Sequence, residues 1–177
     1  LPMRILAISG SLRGASSNTQ ALRALTSLAP AGVEVVLYEG IGELPHFNPD
    51  MDGDAPPGAV VHFRAALAGA DGVVFSSPEY AHGVPGVLKN ALDWVVGSGE
   101  FAEKPVAIVN ASPRAVHALA SLTETLTMMA ARIVPEASIA VPLLGRALPE
   151  GGILADAEIA DALGKAIADF ARTIGRG

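Results

Sequence analysis

Gly72-Val73-Val74-Phe75-Ser76-Ser77-Pro78-Glu79-Tyr80-Ala81-His82-Gly83-Val84-Pro85-Gly86-Val87-Leu88-Lys89-Asn90-Ala91-Leu92-Asp93-Trp94 holds a strand, a stiff loop and the start of a helix in one continuous stretch. The run Gly72–Phe75 is short and apolar, as a strand buried on both faces is. Pro78, Gly83, Pro85 and Gly86 exclude a helix until about Val87. Beyond that point Leu88, Leu92, Val95 and Val96 fall at helical spacing, and Pro85 suits a first helical turn. In an α/β sheet such a loop lies at the carboxyl edge, where ligands bind. Spacing alone is equally met by a loop that only connects.

The chain before this stretch repeats the alternation. Arg4–Ser9 reads as a first strand, nearly all apolar. Gly10-Ser11-Leu12-Arg13-Gly14-Ala15-Ser16-Ser17-Asn18 follows and opens a helix from about Asn18 to Leu28, with Leu22, Leu25 and Leu28 on one face. Glu34–Tyr38 is a second strand, and Pro57–Gly69 a helix with Val60, Phe63 and Leu67 inward. After the central stretch, Lys104–Ala111 is a fourth strand. The loop Ser112-Pro113-Arg114-Ala115-Val116-His117 leads to a helix ending near Met129, with Val116, Leu119, Leu126 and Met129 patterned. A fifth strand is expected at Ala137–Val141, then a Pro- and Gly-rich loop from Pro142 to Gly152. Asp156 caps a last helix with Ile159, Leu163, Ile167, Phe170 and Ile174 inward. Strands alternating with helices make a three-layer α/β sandwich around a five-stranded parallel sheet. The expected strand order is 2-1-3-4-5, with its switch point between strands 1 and 3. The whole chain, 1–177, reads as a single domain.

The loops after strands 1 and 3 are therefore expected to converge. In the first, a glycine turn lets backbone approach an anion. Ser11, Ser16, Ser17 and Asn18 offer donors, Arg13 offers a planar fork and the helix start offers its dipole. This is phosphate chemistry, without the Gly-Lys-Ser/Thr of a Walker loop and without Gly-x-Gly-x-x-Gly. A plain N-capped helix beside an exposed arginine answers the same pattern.

Totals narrow the function classes. Net charge is −6, with no Lys/Arg cluster, so the footprint of a nucleic-acid binder or of an anionic-membrane binder is missing. Half the residues are hydrophobic and mean hydropathy is +0.41, yet no apolar run approaches a membrane span. There are no cysteines, which excludes disulfides, thiol catalysis and Cys-ligated metal, and fits a reducing cytoplasm. No signal peptide is read, and Met3 is expected to be the natural start, with Leu1-Pro2 a remnant before it. The acidic segment Asp50-Met51-Asp52-Gly53-Asp54 fails as a calcium loop: counted from Asp50, Ala55 and Val61 stand where Gly and Glu are required. No metal ligand is assigned. His82 and His117 are read as exposed loop histidines near the mouth, and Trp94 as a packing or subunit-contact residue.

The literal residues also carry a resemblance. Ser77-Pro78-Glu79-Tyr80 followed by Gly83-x-Pro85-Gly86-x-Leu88-Lys89-Asn90-Ala91-Leu92-Asp93-Trp94 closely resembles the signature of the NADPH-dependent FMN reductase family, the flavodoxin-like group of quinone, azo-dye and chromate reductases. Gly10-Ser11-Leu12-Arg13-x-x-Ser16-x-Asn18 and Leu44-Pro45-x-Phe47-Asn48-Pro49-Asp50 look like the same family. The resemblance implies FMN, its phosphate held by Ser11, Arg13, Ser16, Ser17 and Asn18. The isoalloxazine would lie along Pro78, Glu79 and Tyr80, with Ala81, His82 and Gly83 completing the loop and the loop Ser112–His117, Ser112 first, bordering the other side. It implies NADPH or NADH as co-substrate, with a hydride passed to FMN. Electrons would then pass to a quinone, azo compound, free flavin or metal oxyanion by a ping-pong scheme that needs no catalytic side chain. A cytoplasmic homodimer or homotetramer is implied as well. Many family members carry a Gly-rich loop after the fourth strand, whereas Ser112–His117 has no glycine, so the nicotinamide or acceptor side departs from that pattern. The alternative is a flavodoxin-type FMN carrier that does not oxidise NAD(P)H. Arg13 argues against it, because flavodoxins favour a hydroxyl-rich loop without arginine.

Overall fold

The apolar runs become strands whose side chains alternate between two cores. A computed structural model describes residues 1–177. β1 (Met3–Ser9), β2 (Val33–Tyr38), β3 (Gly72–Ser76) and β4 (Pro105–Asn110) pair in parallel, and β3 and β4 are buried along their whole length. Leu6, Ile8, Val73, Phe75, Val106 and Ile108 point into one core, and Ile5, Ala7, Val74, Ala107 and Val109 into the other. This is the period-2 alternation of a sheet covered on both faces. α1 (Ser17–Leu28) and α5 (Ala157–Ile174) cover one face. α2 (Gly58–Ala68), α3 (Gly86–Val96) and α4 (Val116–Met128) cover the other.

The strand order is β2-β1-β3-β4-β5, as the alternation of elements predicts. The fifth position departs from the single strand expected at Ala137–Val141. It is filled by two two-residue strands, β5 (Arg132–Ile133) and β6 (Ile139–Ala140), both parallel to β4, so the sheet counts six strands. A 3₁₀ turn, Pro135–Ala137, separates them. Pro135 has no N–H to continue the ladder. Ser138 repairs the gap: its Oγ accepts from Ile108 N at 3.1 Å and donates to Val134 O at 2.8 Å.

Helix boundaries follow local chemistry. Ser16 caps α1 by accepting from Thr19 N, and Asp156 caps α5 by accepting from Ile159 N. Pro57 and Pro85 stand just ahead of α2 and α3, so Pro85 precedes the helix rather than opening its first turn. In α4 the inward face is Ala118, Leu122 and Leu126, whereas Val116, expected inward, is exposed at the first position. Trp94 is fully buried, donates Nε1–H to Pro45 O at 2.7 Å and meets Phe47 edge-on. It is a packing residue that pins the irregular segment after β2 onto α3. Lys104 donates to Leu67 O and Ala70 O at the end of α2, and burial lowers its pKa.

On α5, Asp169 pairs with Lys165 at 2.5 Å and Arg172 at 2.9 Å. The Lys165 hydrogen bond leads the interactions that hold the Asp169 carboxyl below its ordinary range, against the opposing pull of desolvation. A carboxyl with a depressed folded-state pKa stabilises the fold above its unfolded value, about 3.9, and that gain is lost as pH falls through the folded value. Asp169→Asn is therefore expected to melt below the parent at neutral pH. Thermal unfolding between pH 7 and pH 3 should show the gap closing in acid; a gap that widens there refutes the assignment.

Candidate functional site

β1 and β3 lie side by side up to the Ser9–Ser76 pair. The chain after β1 crosses to the face covered by α1, and the chain after β3 to the face covered by α3. A crevice opens between connections that leave in opposite senses. Its floor is a close contact at Gly10, whose N–H donates to Ser76 O at 2.8 Å. A Cβ at Gly10 would fall 2.5 Å from Ser77 Oγ and 2.9 Å from Ser77 Cβ, so this position requires glycine.

The loop after β1 is shaped by its own hydroxyls. Ser9 Oγ shares a 2.8 Å hydrogen bond with Thr19 Oγ1 and accepts from Ser11 N at 3.2 Å. Ser11 Oγ accepts from Arg13 N, and Arg13 O accepts from Ser16 N. Across the crevice the fully buried Ser76 donates Oγ–H to Asn18 Oδ1 at 2.9 Å. That bond fixes the amide so that Asn18 Nδ2 is the free end. No buried side-chain polar atom in the chain lacks a partner, so this unbonded nitrogen stays accessible at the α1 N-terminus.

The loop after β3 folds back as a tight turn. Tyr80 and Gly83 exchange backbone hydrogen bonds at 3.2 and 3.0 Å, and Ala81 (φ 50°) and His82 (φ 58°) are both left-handed, the type I′ pattern. Two consecutive left-handed non-glycine residues cost roughly 1–2 kcal/mol each, so packing must hold them. One anchor is Glu79, whose Oε2 accepts from Ala118 N at 2.8 Å at the start of α4. The other is His82, which stacks on His117 with ring centroids 4.2 Å apart and planes at 21°.

These loops and the one after β4 enclose a cavity of about 320 Å³, within the range of small-molecule sites, roughly 300–1,000 Å³. Ser11, Arg13, Ser16, Ser17 and Asn18 line it from the first loop, Pro78, Glu79 and Tyr80 from the second, and Ser112 from the third. Ala81, His82 and Gly83 sit on the outer arm of the turn, outside the lining. Ser77, Arg114 and Ala115 also line it, within the loops expected at the site but with no role of their own assigned, and Ala111 and Leu144 line it without having been expected there. Arg114 had a signal available, since its loop leaves the strand next to β3 at the same edge. Leu144 had none: it is held over the cavity because Leu143 N and Leu144 N both donate to Ala111 O. Arg13 and Arg114 make no ion pair with any acidic side chain. Against the net charge of −6, the cavity is locally cationic and draws anions.

Comparison with known proteins gives an independent reading. The family profile described as NADPH-dependent FMN reductase matches residues 3–143. A quinone reductase of Pseudomonas putida is 41% identical over 117 residues, 63% of this chain and 61% of the relative. An NAD(P)H-dependent FMN reductase of Pseudomonas aeruginosa is 41% identical over 112 residues, 62% and 60% of the two chains. The aligned region thus spans about three-fifths of the length of these curated relatives. Among solved structures, the flavoenzyme NAD(P)H:(acceptor) oxidoreductase FerB from Paracoccus denitrificans superposes with a TM-score of 0.82 at 31% identity, covering 98% of each chain. An azoreductase from Bacillus anthracis shares the fold, with a TM-score of 0.60 at 17% identity.

The close contact at the crevice floor is directly testable. Gly10→Ala should destabilise the protein by about 1–3 kcal/mol through overpacking against Ser77, read as a lowered midpoint in urea at unchanged slope. An unchanged midpoint would show that the two strand ends separate freely.

Proposed function

The chain belongs to the NADPH-dependent FMN reductase family, and from that premise we propose that it is an FMN-dependent NAD(P)H oxidoreductase that reduces small-molecule acceptors. The observation that carries this reading is the convergence at the β1/β3 switch point. Hydroxyl, amide and guanidinium donors at a helix N-terminus face a proline-stiffened segment across one cavity. The donor set fits the phosphate of FMN: Ser11, Ser16, Ser17 and Asn18 Nδ2 with the α1 N-terminus supply neutral donors, and unpaired Arg13 supplies charge. Pro78, Glu79 and Tyr80 form the wall along which the planar ring would lie, and Ser112 with Arg114 forms the opposite wall.

Bound FMN would supply the redox chemistry, accepting a hydride from NADPH or NADH and passing electrons on in a separate half-reaction. The protein's part is to hold and orient. The Glu79 carboxylate is committed to Ala118 N, so the ring-side wall is fixed before ligand arrives. Arg114 replaces the flexible glycines of the family pattern with a cation, which favours anionic groups on the co-substrate or acceptor. Quinones, azo compounds, free flavin and metal oxyanions are the acceptor classes proposed, taken in turn with the nicotinamide in a ping-pong scheme. A cytoplasmic homodimer or homotetramer belongs to the same proposal and rests on family membership. No helix is long and apolar enough to cross a membrane.

The decisive experiment is anaerobic. Protein loaded with FMN and freed of excess flavin is mixed with NADPH, then NADH, while flavin absorbance is followed. Rapid bleaching is the expected result; retained flavin that stays oxidised with both nucleotides identifies a carrier instead. Arg13→Ala should weaken FMN binding by about 1.5–3 kcal/mol, roughly 10- to 150-fold, if the guanidinium pairs the phosphate. A flavin titration that shows unchanged affinity removes Arg13 from the site.

A further inference from the structure

We propose that Glu79, His82 and His117 form a binding site for one divalent transition-metal ion at the rim of the cavity. One ligand atom from each residue lies within 4.8 Å of the others. Two imidazoles and one carboxylate suit Zn²⁺, Cu²⁺ or Ni²⁺, whereas Mg²⁺ and Ca²⁺ ask for an oxygen shell that this set lacks. The chain has four histidines, and His46 and His62 take no part in the cluster.

The three groups are built into position. Glu79 is turned by the Ala118 N–H, which engages Oε2 and leaves Oε1 as the coordinating oxygen. A backbone donor in this role orients a metal ligand as second partners of such sites do. His82 reaches His117 because Ala81 and His82 both take left-handed backbone, a conformation that non-glycine residues adopt at an energetic cost. The rings stack at 4.2 Å with planes at 21°; imidazole lone pairs lie in the ring plane, so one of these two exposed side chains rotates out of the stack for both nitrogens to meet a shared ion. Both histidines are exposed and Glu79 is half-buried. Water or a substrate oxygen therefore completes the coordination, and the site is open rather than closed. Glu79 also lines the cavity, so an ion held there would add positive charge at the cavity's edge.

The test is made on protein without a polyhistidine tag and without flavin, so its outcome is independent of the FMN reading. Equilibrium dialysis against Zn²⁺ at neutral pH is expected to show one saturable ion per chain. His117→Ala and His82→Asn should each lower the affinity by roughly 10-fold or more, and His46→Ala and His62→Ala should leave it unchanged. Asn is chosen at 82 because it tolerates left-handed backbone, and far-UV circular dichroism checks that each variant is folded. With Cu²⁺, electron paramagnetic resonance should report two coordinated imidazole nitrogens in the parent and one in each of those two variants. No saturable Zn²⁺ binding, or binding that survives both His82→Asn and His117→Ala, overturns the proposal.

Discussion

The contact between Gly10 and the end of β3 governs the architecture of the site. A backbone hydrogen bond from Gly10 to Ser76 holds two strands together at the point where their continuations part to opposite faces of the sheet. The approach is close enough that a methyl group would collide with Ser77. A wider gap would separate the hydroxyl-rich loop from the proline-stiffened one, and the cavity they share would lose one of its walls.

Polar side chains at the strand ends turn this contact into a framework. β1 ends at Ser9, β3 at Ser76 and β4 at Asn110, and all three are buried. Each bonds to the segment that shapes the cavity: Ser9 to Thr19 and Ser11, Ser76 to Asn18, and Asn110 Oδ1 to Ser112 N. The buried polar residues are Ser9, Ser16, Asn18, Ser76, Asn110 and Asp169, and all but Asp169 sit at this edge. A buried polar group is tolerated only when its hydrogen bonds are made. With their buried atoms bonded, these groups orient each loop and leave Asn18 Nδ2 and the Arg13 guanidinium without a partner inside the chain.

The loop after β3 serves two surfaces at once. Its first residues, Pro78, Glu79 and Tyr80, face the cavity, and its left-handed pair carries His82 outward to His117. Glu79 belongs to both, because its carboxylate reaches α4 while its residue lines the cavity. The rim and the interior are therefore mechanically joined through one short turn. A change at the histidine pair would be felt by the cavity wall that Pro78, Glu79 and Tyr80 form.

Much of this was legible in the chain itself. Apolar runs such as Ile5–Ile8 and Gly72–Phe75, the inward spacing of Val60, Phe63 and Leu67, and the capping residue Asp156 encode structure locally, through periodicity and turn chemistry. Strand alternation then led to the 2-1-3-4-5 order and to the meeting of the loops after β1 and β3. What only the tertiary structure decided involves groups far apart in sequence. Leu144 reaches the cavity through Ala111, and Ser138 mends the edge that Pro135 breaks by bonding to Ile108. His82 finds His117 across 35 positions of chain. Such contacts leave no periodic trace, because they depend on how independently formed elements pack and not on the spacing of residues within any one of them.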